Sequence, residues 1–207
     1  MICVICGSHF QPLPTWTRLI VYKLETSTCT RCMSKFEKAD QVIDFTDFIG
    51  TPYEGAVDKV LVMYTYNEAM NDYFHQYKFL QDVALAQVFA EVLHETFEAK
   101  EGIVVPIPMH PEKLLLRTFA QVDELLNYAR TPFQHVLEKT ESSEQGKKSK
   151  KERLDAKSLF KVSGNVEAKT YILFDDIYTT GATIHHAAKV LKDAGATRIE
   201  AVTLIKG

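Results

Sequence analysis

Apolar stretches of strand length alternate with stretches of helical periodicity along the chain from residue 57 onward. Apolar runs predict strands over residues 59–66, 102–107, 133–139, 170–174 and 198–205. Apolar side chains at helical spacing predict helices over residues 82–98, 111–128 and 183–193. Because alternating strands and helices require crossover connections, we predict an α/β domain whose mostly parallel sheet is flanked by helices.

The first 40 residues differ from the rest because they carry no sustained apolar periodicity, and they contain all four cysteines. A composition break near residues 40–56 separates them from the alternating pattern. We therefore predict a small N-terminal module over residues 1–40, a linker over 41–56 and the α/β domain over 57–207. Residues 140–151 contain no apolar side chain, which is typical of a mobile loop.

The charge of the chain is uneven although its net value is only −3 over 207 residues. Residues 1–40 carry five basic and three acidic side chains, a net of +2, and residues 141–161 carry seven and four, a net of +3. A nucleic-acid partner would therefore bind through local patches and not through the overall field. The apolar runs are too short for a membrane span and no secretory signal precedes them, so we expect a cytoplasmic protein.

Two CxxC pairs, Cys3–Cys6 and Cys29–Cys32, are separated by 22 residues. Each pair can bring two thiolates to one ion, and four thiolates satisfy a tetrahedral zinc ion without leaving an open coordination position. This pattern predicts a structural zinc site in a ribbon-like module, with redox or incidental cysteines as the alternative. A module of 40 residues buries too little surface to fold alone, so we expect the metal to contribute to its folding.

Residues 171–183 combine an apolar strand, two carboxylates, a threonine- and glycine-rich turn and the start of a helix. Amides at a helix N-terminus form an anion site, and carboxylates beside it can accept hydrogen bonds from sugar hydroxyls. This chemistry predicts a ribose-phosphate site, with a magnesium site of the receiver or phosphatase kind as the alternative. The candidate ligands are Asp175, Asp176, Thr179, Thr180, Gly181, Ala182 and Thr183.

The same thirteen residues are similar to the phosphoribosyl pyrophosphate signature of type I phosphoribosyltransferases, and every position fits. The resemblance implies a type I phosphoribosyltransferase fold. It also implies that Asp175 and Asp176 hold the ribose 2- and 3-hydroxyls, and that residues 179–183 cradle the 5-phosphate. Magnesium would accompany the pyrophosphate.

Together with the two CxxC pairs, this signature resembles the ComF/ComFC family of bacterial competence proteins over nearly the whole chain. Residues 76–80, which include Lys78, resemble the Lys-Phe segment of that family, and residues 105–108 resemble its Val-Pro motif. Gln145 and Arg153 have the spacing of a family Gln and Arg around the mobile loop. Residues 117–121 read Arg-Thr-Phe-Ala-Gln where the family often has Arg-Gly-Phe-Asn-Gln, a departure on the pyrophosphate and acceptor side.

A set of basic side chains could clamp pyrophosphate or contact a nucleic-acid backbone. The alternative for each is an ordinary solvated surface residue. These candidates are Lys78, Arg117, Lys147, Lys148, Lys150 and Lys151.

The resemblance implies a phosphoribosyltransferase-like protein that acts in uptake of single-stranded DNA during natural transformation, with DNA and competence-machinery proteins as partners. Two alternatives stay open: a small-acceptor transferase of nucleotide metabolism, and a non-catalytic adaptor that binds DNA and proteins. The zinc module favours the DNA-uptake protein and the adaptor over the small-acceptor transferase, because such a transferase does not need it. The sequence leaves open whether the site catalyses transfer.

Overall fold

The computed structural model describes residues 1–11, 24, 26–40, 43–140 and 159–207. The chain forms two compact units, each built from three separate segments. The first unit contains residues 1–37, 66–101 and 117–132, and the second contains residues 38–65, 102–116 and 133–207. The predicted boundaries of module, linker and α/β domain stay a prediction.

The strands of the described chain lie in the second unit. They are β1 (Lys59–Thr65), β2 (Ile103–Pro106), β3 (Leu137–Lys139), β4 (Phe160–Val162), β5 (Thr170–Tyr178) and β6 (Arg198–Lys206). Four of them form a sheet in the order β1-β6-β5-β2, and every neighbouring pair in it is parallel. β3 and β4 form a separate antiparallel pair. The predicted α/β class with a mostly parallel sheet is confirmed.

The helices of the described chain are short. They are α1 (Thr30–Met33), α2 (Glu68–Phe74), α3 (Ala90–Glu98), α4 (Pro111–Arg117), α5 (Gln121–Tyr128) and α6 (Ala182–Asp193). A π-helical turn over His75–Phe79 follows α2, and 3₁₀ segments span Thr46–Phe48 and Val83–Phe89. No helix in these described ranges is both long enough and apolar enough to cross a bilayer.

Burial on both faces explains the continuous apolar runs of the two central strands. Residues 171–174 of β5 are at most 1% exposed, and residues 201–205 of β6 are equally inaccessible. Parallel strands covered on both faces lose the alternation of apolar and polar residues that marks a half-exposed strand. Helix α6 packs against β5 and β6. The predicted apolar stripe of this helix is confirmed, because its members are all buried: Ile184, Ala187, Ala188 and Leu191.

Several predicted element bounds are wrong, and each has a local cause. The strand predicted over residues 170–174 continues to Tyr178, because Asp175 pairs with Thr203 of the neighbouring β6. The helix predicted over residues 111–128 is two helices, separated at Thr118, whose φ of 63° is left-handed. The helix predicted over residues 82–98 begins as a 3₁₀ segment, and the strand predicted over 133–139 is limited to its last three residues.

In the first unit, the N-terminal segment packs on the residues around α2 and α3. Phe36 makes edge-on ring contacts with Tyr73 and Phe89, at centroid distances of 6.1 and 5.0 Å. The hydroxyl of Thr26 donates to Oε2 of Glu91 at 2.9 Å. The cysteine-bearing segment is therefore held by core contacts as well as by its own turns.

Helix α6 has a second buried face, which residues 43–57 of the same unit cover. His185 is 1% exposed, and its ring stacks on Phe48 with centroids 3.4 Å apart and an interplanar angle of 6°. Phe45 meets the same imidazole edge-on at 5.5 Å. Nδ1 of His186 lies 3.1 Å from the Tyr53 hydroxyl. We call these five side chains the aromatic clamp.

The burial of His185 predicts a pH-dependent stability. The pKa of His185 is lowered from 6.5 to about 4, chiefly by burial and to a lesser extent by nearby His186, while the Tyr53 backbone acts in the opposite direction. Between these values the unfolded chain binds a proton that the folded chain does not. The free energy of unfolding should therefore keep its full value above pH 6.5. Below that pH it should fall by about 1.4 kcal/mol per pH unit as the pH drops towards 4.

His185→Phe keeps a ring in the clamp and removes the titrating group. Urea unfolding of both proteins, measured from about pH 7 down to about pH 4.5, should give a shallower pH slope for the variant. Carboxylates titrate equally in the two proteins, so the difference between the slopes isolates His185. Identical slopes would contradict the prediction.

Candidate functional site

The structure places the predicted ribose-phosphate residues on one continuous strand, turn and helix. Asp175 and Asp176 lie half-buried in the last part of β5, and Thr179 and Thr180 form the bend after it. Gly181 is the residue that precedes the first turn of α6. We call residues 179–183 the phosphate loop. Its role in binding stays a prediction, but its position is at the carboxyl end of a parallel strand, where α/β proteins bind ligands.

The phosphate loop depends on glycine at position 181. Gly181 has a φ of 75°, in the left-handed region. A Cβ atom at this position would lie 2.6 Å from Cζ of Tyr178 and would also collide with its hydroxyl oxygen. A side chain is therefore excluded both by the backbone conformation and by the buried tyrosine beneath it.

The polar groups of the loop are oriented by short local hydrogen bonds. Oγ1 of Thr180 accepts from the Ala182 amide at 3.4 Å, and Oδ1 of Asp175 accepts from the Asp176 amide at 2.9 Å. The positive end of the α6 dipole lies at the loop. This arrangement places anion-attracting amides next to two carboxylates, which suits a ligand with a phosphate at one end and hydroxyl donors at the other.

The structure adds a cation that the sequence did not single out. Lys139 lies at the end of β3, with Nζ 5.7 Å from the ring centroid of Phe160. Burial lowers the pKa of Lys139, the charge of Lys113 lowers it further, and the charge of Asp175 raises it. Lys139 is therefore close enough to Asp175 to interact with it electrostatically. Its only sequence signal was its place at the end of a predicted strand.

The other described candidate cations belong to the first unit. Lys78 is in the first unit, on the π-helical turn, where it is 8% exposed and its Nζ lies 4.3 Å over the Phe74 ring. Arg117 is also in the first unit, and its Nη1 donates to Oε1 of Gln121 at 2.6 Å. Their role as phosphate contacts stays a prediction. The remaining predicted loop residues lie outside the described residues: Gln145, Lys147, Lys148, Lys150, Lys151 and Arg153.

The four cysteines form one cluster in the first unit. Their Sγ atoms, from Cys3, Cys6, Cys29 and Cys32, all lie within 4.8 Å of one another, and none forms a disulfide. The Cys6–Cys29 Sγ distance is 3.9 Å. Four sulfurs bound to one zinc ion at ~2.3 Å would be about 3.8 Å apart. The cluster therefore fits a tetrahedral metal ion.

Backbone turns bring each CxxC pair together. Gly7, with a φ of 69°, donates its amide to the Cys3 carbonyl at 2.9 Å and so closes the first turn. The second pair opens α1, where the Met33 amide donates to the Cys29 carbonyl. The pKa of Cys6 is lowered to about 6, mainly by hydrogen bonding with Ser8, whereas burial raises the pKa of Cys32 to about 12. Four thiolates this close together would repel one another, so a bound cation would stabilise their ionised form.

Comparison with protein families matches residues 76–207 to the phosphoribosyl transferase domain. Among solved structures, a hypoxanthine phosphoribosyltransferase from Staphylococcus aureus aligns with 76% of this chain and 72% of its own, at 14% identity and a TM-score of 0.36.

Two relatives match from end to end. Competence protein ComFC of Streptococcus pneumoniae is 34% identical over 220 residues, covering all of both chains. Competence protein ComFC of Bacillus subtilis is 32% identical over 230 residues, covering all of this chain and 95% of its own. Because the likeness extends through the cysteine cluster as well as the phosphoribosyl transferase domain, the chain belongs to the ComFC family.

Proposed function

We propose that this protein binds phosphoribosyl pyrophosphate, or a related ribose 5-phosphate, at the phosphate loop and acts in uptake of single-stranded DNA. The observation that carries the proposal is the order of groups along β5 and α6. Asp175 and Asp176 precede the start of α6, and only glycine fits at position 181 where that helix begins. Membership of the phosphoribosyl transferase domain family supports the same ligand class.

The chemistry assigns a task to each part of the site. Asp175 and Asp176 accept hydrogen bonds from the ribose 2- and 3-hydroxyls, and residues 179–183 donate to the 5-phosphate. Magnesium, which prefers carboxylate and phosphate oxygens, is held chiefly by the pyrophosphate beside these carboxylates. If pyrophosphate leaves, positive charge develops on the sugar, and the two carboxylates stabilise it. Lys139 is placed to balance the carboxylate charge.

Replacing Asp175 and Asp176 together with alanine tests the ligand site. Each hydrogen bond to a charged acceptor contributes roughly 1.5–3 kcal/mol. Loss of two should weaken phosphoribosyl pyrophosphate binding about a hundredfold or more, as titration calorimetry would measure. Thermal stability should change little, because these carboxylates lie at the ligand edge of the sheet.

A matched variant removes two exposed carboxylates of the same unit, Glu167 and Asp193. It changes the net charge by the same amount and should bind the ligand as tightly as the wild type. Equal affinity of the wild type and the Asp175/Asp176 variant would refute the ribose-phosphate assignment. The magnesium-site alternative would then be tested by titration with the metal alone.

The cysteine cluster is proposed to hold a structural zinc ion, because four sulfur ligands at these separations suit zinc and leave no open position. Cys29→Ser combined with Cys32→Ser removes half of the ligands. Elemental analysis should find about one zinc per wild-type chain and none in the variant. Loss of zinc should also lower the thermal stability of the first unit, because residues 26–36 pack on its helices.

Arg31→Ala is the matched control, since Arg31 is exposed and lies between the two altered cysteines. This variant should retain its zinc and its melting temperature. A wild-type protein that contains a stoichiometric disulfide and no zinc would overturn the assignment.

Single-stranded DNA is proposed as the macromolecular partner, and the cytoplasm as the place of action. The proposal is supported by the two full-length relatives, both of which are competence proteins, and by the two basic segments of the sequence. Competence-machinery proteins are proposed as further partners. The local excess of positive charge, in a chain with a net charge of −3, favours contact through a patch.

Phosphate contacts release counterions, so DNA affinity should fall with increasing salt. Changing Lys147, Lys148, Lys150 and Lys151 to glutamine should weaken binding and flatten the plot of affinity against salt concentration. The control neutralises four exposed basic residues elsewhere in the second unit, namely Lys59, Lys161, Lys169 and Arg198. If both variants keep the wild-type slope, the DNA contact lies on another surface, and the cysteine-bearing segment is the next to test.

Release of pyrophosphate separates the three functional classes. The protein is incubated with phosphoribosyl pyrophosphate and either single-stranded DNA or small nucleobase acceptors. Release that depends on DNA identifies a DNA-directed transferase, and release with a small base identifies a transferase of nucleotide metabolism. Ligand binding without release under either condition identifies a non-catalytic adaptor.

A further inference from the structure

Residues 43–57 contact the phosphate loop region from two directions. Phe48 stacks on His185, and the amide of His185 donates to the Gly181 carbonyl at 2.9 Å in the first turn of α6. The pKa of Tyr178 is raised to about 12, chiefly by burial and in smaller part by the charge of Asp47, the residue before Phe48. Tyr178 in turn fills the space beneath Gly181.

His185 contributes to these contacts a buried ring without a well-formed hydrogen bond to any described residue. Both ring nitrogens are buried, and neither makes a hydrogen bond of ordinary geometry among the described residues, although the Tyr53 backbone lies near enough to act on the ring. An imidazole in such a place costs free energy that a phenylalanine or leucine of similar shape would not. The ring contacts nevertheless hold it from two sides, since Phe48 lies parallel to it and Phe45 meets its edge.

The neighbouring histidine fixes the rotation of the same helical turn. His186 is also 1% exposed, its ring centroid lies 4.2 Å from that of Tyr53, and its Nδ1 is within hydrogen-bonding distance of the Tyr53 hydroxyl. Two adjacent side chains are therefore restrained by one covering segment. The loop and this turn are continuous, since the His185 amide donates to the Gly181 carbonyl.

We propose that the aromatic clamp positions the phosphate loop, so that Phe45, Phe48, Tyr53, His185 and His186 are positioning residues of the ligand site. The inference rests on the proposed ribose-phosphate function. A loop that is ordered before the ligand arrives loses less conformational entropy on binding, which increases the affinity. The opposite end of α6 has its own anchor, an ion pair between Lys192 and Asp58 at 3.0 Å. The clamp therefore restrains specifically the end of the helix that forms the phosphate loop.

Variants of the full chain separate positioning from general stability. Phe48→Ala empties the stacked side of the clamp, and Phe48→Leu reduces it with less risk to folding. Leu191→Ala is the matched control, because Leu191 is 0% exposed and lies near the far end of the same helix. Two measurements are made: amide hydrogen exchange of residues 182–185 without ligand, and affinity for phosphoribosyl pyrophosphate by calorimetry.

We expect Phe48→Ala to speed exchange at residues 182–185 and to weaken ligand binding about tenfold or more, with Phe48→Leu intermediate. Leu191→Ala should lose stability but keep ligand affinity within about twofold. Equal loss of affinity in Phe48→Leu and Leu191→Ala, or an unchanged affinity and exchange in Phe48→Ala, would overturn the proposal.

The outcome also distinguishes this inference from the proposed function. If the wild type binds no phosphoribosyl pyrophosphate, the proposed function fails, and the clamp is then judged on amide exchange and on affinity for inorganic phosphate. Faster exchange of residues 182–185 together with weaker phosphate binding in Phe48→Leu, but not in Leu191→Ala, would still support it. Absence of that difference would refute it independently.

Discussion

The turn from β5 into α6 can close only because residue 181 has no side chain. Tyr178 occupies the volume beneath the turn, and the backbone at Gly181 is left-handed, so both constraints act on one residue. The direction of α6, and with it the orientation of its first amides, follows from this turn. Asp175 and Asp176 precede it on a strand that is hydrogen-bonded to β6 through Tyr178. The candidate ligand site is thus attached to the most deeply buried part of the sheet.

A different principle stabilises the first unit. Its N-terminal segment lacks sustained apolar periodicity, and its four cysteines lie close enough to share one ion. Ring contacts of Phe36 and the hydrogen bond of Thr26 connect this segment to the residues around α2 and α3. A metal ion bound by these cysteines would support the same fold as the core packing, so changes at the cysteines should also destabilise helices far from them in sequence.

The elements that the sequence predicted well are those whose burial leaves a periodic signal. The apolar run of β5 and the stripe of α6 follow from packing on both sides of a parallel sheet, and Gly181 was visible because a tight turn before a helix needs it. His185 and His186 escaped prediction, since a polar residue on a helix is normally exposed and the rings that cover them are distant in sequence. Threonine does not favour the left-handed backbone that Thr118 adopts, so the break in the helix over residues 111–128 was missed; the glycine that the family often has at this position was the one hint of it.

Irregular segments were harder to interpret for the same reason. Residues 43–57 lack apolar periodicity, yet Phe48 and Tyr53 are buried, because a 3₁₀ turn and bends can bury side chains without any repeat. Lys139 likewise acquires its electrostatic role from Asp175, which follows it across a long stretch of chain. Contacts of this kind depend on tertiary structure, which a single sequence does not display.

The discontinuous first unit also has a consequence for synthesis on the ribosome. Its segments are residues 1–37, 66–101 and 117–132, so the cysteine-bearing segment emerges first and its last packing partner much later. The nascent chain must therefore keep its four thiols reduced and available while intervening segments are still being made. Local CxxC turns can capture an ion early, whereas the surrounding core is completed only after residue 132 has left the exit tunnel. Early metal capture would protect those thiols from oxidation during this interval.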